Sequence, residues 1–140
     1  MYKTKTETPA DMLAKTKVHF GVIYADLLQM HLSNQPDDLI EKIREFVKEE
    51  GKSATVTTHQ LRNIYDKVKS LPETEEGLVE LKLLRPMLAY IAARQSTMRT
   101  MTALFDDLIK SASKPVDVKG MKNFMQAVVA YQKYFEKINE

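Results

Sequence analysis

Four lysines near the C-terminus, Lys119, Lys122, Lys133 and Lys137, recur at spacings that suit one side of a helix. At 100° per residue they share a strip about 60° wide, with Gln126 and the small Ala130 between them. No acid of that segment falls in the strip, and Glu136 lies outside it. The opposite side holds Met121, Phe124, Met125, Val128, Tyr131, Phe135 and Ile138. An unneutralised row of ammonium groups can track the phosphates of a nucleic-acid backbone. The same pattern also describes the solvated face of an amphipathic helix, so both readings stay open.

A second basic cluster lies upstream. Thr57 to Gln60 fits a capping box, in which the threonine oxygen accepts from a first-turn amide and glutamine reaches back. Thr58, His59, Arg62 and Lys69 then share a polar face with Asp66, and Lys52 lies in the loop before it. Free amides at a helix start with an arginine one turn on make a seat for phosphate. Arg94 falls beside Met87 and Tyr90 rather than beside Arg85, which predicts a partly buried guanidinium. Such a group needs an acid, a carbonyl or a phosphate as partner. Tyr131, Tyr134 and Phe135 offer rings for base stacking or for packing.

Catalytic and metal chemistry find no such pattern. The three histidines, His19, His31 and His59, have no ligand-type partner at i+3 or i+4. The carboxylate pairs Asp37/Asp38, Glu49/Glu50, Glu75/Glu76 and Asp106/Asp107 are chain neighbours, which point to different faces of a helix. With no cysteine, thiolate sites and disulfides are excluded. No glycine-rich phosphate loop is present. The expectation is a non-enzyme with no cofactor and no metal.

These residues must be carried by helices. Leu, Ala, Lys, Glu, Met and Gln abound, while only 4 Gly and 5 Pro punctuate the chain. The pattern predicts a disordered tail over 1–9, then a single helical domain over 10–140. A first helix spans about 10–32, with Met12, Val18, Ile23, Leu27, Leu28 and Met30 available for packing. A second runs from Asp37 or Asp38 to Gly51, and a third from Thr57 through Leu61, Ile64, Tyr65, Val68 and Leu71. A fourth over about 75–95 presents Leu81, Leu84, Leu88 and Ile91 and is expected to be central, with a kink at Pro86. A fifth starts at Ser96 or Thr97, and the last runs from about Asp117 to Ile138. The fold class is all-α, a compact bundle of five to six helices.

The 140 residues suit one domain with a real core. Net charge is only +2, but residues 1–50 carry 7 basic against 9 acidic groups. The positive excess therefore lies downstream, where the two basic clusters are. No apolar run approaches the roughly 20 residues a spanning helix needs, so a cytoplasmic setting without membrane contact is expected.

Three stretches also carry a family resemblance: TVTTHQLRNIYDKV, LKLLRPMLAYIAAR and MKNFMQAVVAYQKYF. In this order they resemble the small subunit of the type III-A CRISPR (Csm) interference complex. The matching residues are Thr57, Thr58, Gln60, Leu61 and Arg62. Next come Arg85, Pro86, Leu88, Ala89, Tyr90 and Arg94, and then Phe124, Ala127, Val128, Val129, Ala130, Tyr131, Lys133 and Tyr134. The resemblance covers about 37–138 and leaves the helix over 10–32 as an addition. It implies a helical subunit that stacks in several copies beside the backbone subunits and near the large subunit. It also implies contact with crRNA and target RNA, with cleavage left to other subunits. Carried over, the RNA face includes Arg62, Arg85, Arg94, Lys122 and Lys133, and charge geometry adds Lys52, Lys69 and Lys119. Rival readings are a protein-only helical adaptor, a helix-turn-helix regulator over 57–71, and the small subunit of another CRISPR subtype.

Overall fold

Helix formation begins in the stretch expected as tail. In this computed structural model, which describes residues 7–51 and 55–138, Thr8 caps α1 (Pro9–Phe20). The Thr8 hydroxyl accepts from Asp11 N at 3.1 Å, and the Asp11 carboxylate accepts from Thr8 N at 3.0 Å. That reciprocal pair is a capping box, and Pro9 in the first turn loses no needed donor. Gly21, at φ 62°, ends α1 in the left-handed region that glycine tolerates. The chain then continues as 3-10 turns over Gly21–Leu32, so the single helix expected over 10–32 divides at this glycine. Val18, expected to pack, is exposed to solvent.

The remaining elements are α2 (Pro36–Gly51), α3 (Thr55–Lys69), α4 (Glu75–Lys82), α5 (Arg85–Arg94), a 3-10 turn over Ser96–Met98, α6 (Arg99–Ser111) and α7 (Val116–Lys137). Every regular element among the described residues is helical, and the molecule is an all-α bundle. The fourth helix of the sequence reading is two helices, α4 and α5, parted at Leu83 and Leu84. Pro86 is the cause: it lies in the first turn of α5, where its missing N–H is harmless, and it would clash further inside a helix.

The centre of the molecule is α7 rather than the α4–α5 pair. It packs against α2, α3 and the 3-10 segment Gly21–Leu32, while α6 packs against α1 and α5. Met121, Phe124, Met125 and Val128 of α7 are fully buried among Leu27, Leu39, Ile43, Leu61 and Ile64. At Gly120 the backbone itself touches, since a Cβ there would meet the Leu28 carbonyl oxygen at 1.8 Å. The start of α7 is tied by buried Asp117, whose carboxylate accepts from Ser113 N at 2.8 Å and Lys114 N at 3.0 Å.

Candidate nucleic-acid interface

The apolar face of α7 is occupied on several sides, which leaves its basic strip as the outer edge. Lys119, Gln126, Ala130, Lys133 and Lys137 are exposed, and Lys122 is half-buried. Next to this strip lies α3, and polar contacts fix how the two helices meet. Gln132 Nε2 of α7 donates to Thr58 Oγ1 at 3.2 Å, and the Thr58 hydroxyl donates to the Glu136 carboxylate. At the other end, Glu73, just past α3, reaches Lys122 Nζ at 4.0 Å. The start of α3 therefore meets the end of α7, and the two run antiparallel.

Arg62 and Lys69 lie within about 40° of Thr58 on α3 at 100° per residue. Because Thr58 is on the seam with α7, these exposed cations border the same seam as the lysine strip. Lys69 rests over the Tyr65 ring, 5.8 Å from its centroid. By the helical period Arg62 and Lys69 lie on the α7-facing edge of α3, and Lys122 is the strip residue tied to it, through Glu73. Acids temper this charge. Glu73 approaches Lys122 from another element, so the strip is not free of carboxylates as its own helix implied. Glu136 is held below the ordinary carboxylate range, first by the Thr58 hydrogen bond and then by the charges of Lys133 and Lys137.

The α5 arginines lie elsewhere. Arg85 is half-buried and grips Asp106 of α6 with two bonds, Nε to Oδ1 at 2.7 Å and a terminal nitrogen to Oδ2 at 3.3 Å. That carboxylate raises the pKa of the guanidinium further. Arg94 is exposed rather than partly buried. It donates to the Tyr90 hydroxyl at 3.0 Å and lies 5.6 Å over that ring. The expected burial failed because Tyr90 is itself 60% exposed and Met87 only half-buried, so this side of α5 is an outer face. Lys52 lies outside the described residues.

Several further expectations are corrected. The capping box at Thr57 is not formed, because α3 starts at Thr55 and Thr57 lies inside the first turn. Its hydroxyl is buried and has no hydrogen-bond partner. Thr58 faces α7 instead of solvent. Of the three rings, Phe135 is buried, with Arg44 lying 5.3 Å over it, and Tyr131 is half-buried, in accord with the packing alternative, while Tyr134 is exposed. Of the histidines, His19 donates from Nε2 to the Lys42 carbonyl at 2.9 Å, and His31 and His59 are exposed. Among the described residues no three His or carboxylate groups gather as metal ligands. Among those same residues no helix is long and apolar enough to cross a membrane.

Sequence reasoning missed Glu73 and the buried Gln132 that sets the seam, and it placed Glu136 beside the strip without its Thr58 partner. Glu136 and Gln132 are four apart on one side of α7, a spacing that marks a common neighbour but not its identity. Searches of curated proteins and of solved structures gave no significant match. A family model described as Csm2 Type III-A matches residues 33–137, from just after the 3-10 segment to the last residue of α7. The chain therefore belongs to the Csm2 family, the small subunit of type III-A CRISPR-Cas effector complexes.

Proposed function

We propose that this subunit holds RNA by its phosphate backbone along the seam of α3 and α7. The reading adds that it stacks in several copies along the guide-containing complex, beside the backbone subunits and near the large subunit. The observation that carries it is the joint exposure of Lys119, Lys133, Arg62 and Lys69 on adjoining antiparallel helices. Phosphate contacts position without reading sequence. That suits a complex in which base pairing with crRNA already selects the target RNA. Lys122 takes part in competition with Glu73, and Glu136 keeps Lys133 and Lys137 from gathering anions indiscriminately. Arg94, stacked on Tyr90, would meet RNA from the α5 side, while Arg85 must first release Asp106. Lys52, three residues before α3 in the chain, is a further cation assigned to RNA in this reading.

In this reading the subunit does no bond-breaking chemistry, and pure protein leaves labelled RNA intact with Mg²⁺ or Mn²⁺. Metal-dependent cleavage that persists through repurification contradicts that. The direct test of the seam is Arg62→Ala in the assembled complex. The side chain is exposed, so the thermal midpoint of the subunit should hold while RNA retention falls. A variant that unfolds makes Arg62 structural and removes it from the interface.

A further inference from the structure

A groove of about 820 Å³ runs between α1, α5 and α6, away from the α3–α7 seam. Its apolar lining includes Pro9 and Met12 of α1, Leu88, Ala89 and Ala92 of α5, and Ala103 of α6. The α1 wall precedes the residues that match the family, so the groove depends on this chain's own N-terminal arm.

The charges around the groove are unequal. Asp106 is taken by Arg85, and Glu7 pairs with Lys15. Two further cations line it, and both bond to carbonyls rather than to carboxylates. Lys82 Nζ donates to Ile109 O at 2.9 Å and Lys110 O at 3.2 Å, and Arg99 Nε donates to Ala92 O at 3.0 Å. Arg99 opens α6 and Lys82 sits at its last turn, which separates them by about 15 Å along that helix.

We propose that this groove docks an acidic amphipathic helix of a partner protein. Apolar side chains at i, i+3 and i+4 of that helix cover the exposed Leu83 and the alanines. Carboxylates about three turns apart answer Arg99 at one end and Lys82 at the other. A nucleic-acid strand fits the groove less well, because its floor is apolar. The proposal is independent of RNA binding at the seam.

The test uses the full chain and a stapled synthetic helix of about 15 residues. One face of the peptide is Leu and Ala, with Glu at each end, and a control replaces both Glu by Lys. Fluorescence anisotropy should show the acidic peptide binding and the basic control failing. Ala89→Glu and Arg99→Glu each alter an exposed side chain, so the thermal midpoint should hold. Each should weaken the acidic peptide about tenfold, with RNA affinity unchanged. Ala93→Tyr, which fills the groove without changing charge, should do the same. Equal binding of the two peptides, or indifference to all three variants, overturns the proposal. So does a tenfold loss of RNA affinity in Arg99→Glu, which makes the groove a nucleic-acid surface. Self-association of the chain that Ala89→Glu abolishes also overturns it, by making a second copy the occupant.

Discussion

Thr57 and Thr58 are adjacent, and their hydroxyls meet opposite circumstances. Thr57 Oγ1 is buried without a partner, whereas Thr58 bonds both Gln132 and Glu136 across the seam. Thr57→Val should raise stability by about 1 kcal/mol, since it removes an unsatisfied buried group. Thr58→Val should lower it by about 1–2 kcal/mol, because Gln132 and Glu136 lose their partner. Denaturant melts of the two variants check both signs, and a loss at Thr57 would mean its hydroxyl has a partner after all. The pH dependence follows from Glu136, whose pKa is lowered in the fold. Its contribution is complete above the unfolded carboxylate value of about 4.3 and is lost as pH falls through the lower folded value. Glu136→Gln should therefore flatten the acid side of the stability profile and leave the neutral side unsloped. At this scale the periodicity placed Leu61, Ile64 and Val68 in the core correctly. It misplaced the cap, because Thr57 lies within α3 rather than before it.

The N-terminal arm decides more than its position outside the family match suggests. Phe20, Ile23, Leu27 and Leu28 belong to the core, and α1 packs on α6 while the 3-10 segment packs on α7. Burying four such side chains is worth roughly 1.5–3 kcal/mol each, comparable with the whole stability of a small domain. Removal of residues 9–32 should therefore abolish cooperative unfolding, even though the matched region is intact. A soluble, cooperatively melting fragment would make the arm an accessory. Gly120→Ala is a milder probe of the same joint. Its Cβ meets the Leu28 backbone, which cannot swing aside, so a loss of about 1–3 kcal/mol is expected in thermal melts. The break at Pro86 was legible in the sequence because proline acts locally. The centrality of α7 was not, because α4–α5 and α7 both show apolar faces and periodicity says nothing of how many neighbours cover them. A helix of 22 residues spans about 33 Å, and that length lets α7 meet α2, α3 and the arm at once.

The molecule divides its charge between two sides. Arg62 and Lys69 on α3 and Lys119, Lys133 and Lys137 on α7 are exposed, while Arg85 and Asp106 neutralise one another at the groove. The strip was visible in the sequence, since four lysines within about 60° need only the helical period. Its border with α3 and the approach of Glu73 to Lys122 depend on tertiary packing, which no local pattern encodes. The central claim is that the strip follows a phosphate backbone, and counterion release tests it most directly. If about three or four phosphates of a single strand are neutralised, log K falls against log salt with a slope of about −2 to −3. Replacing Lys119, Lys122 and Lys133 together by Gln keeps helix propensity, so the fold should persist. The slope should then flatten by about two, with affinity falling alike for unrelated RNA sequences, both for the isolated chain and in the complex. An unchanged slope in both settings contradicts the account and leaves the strip as the solvated face of α7.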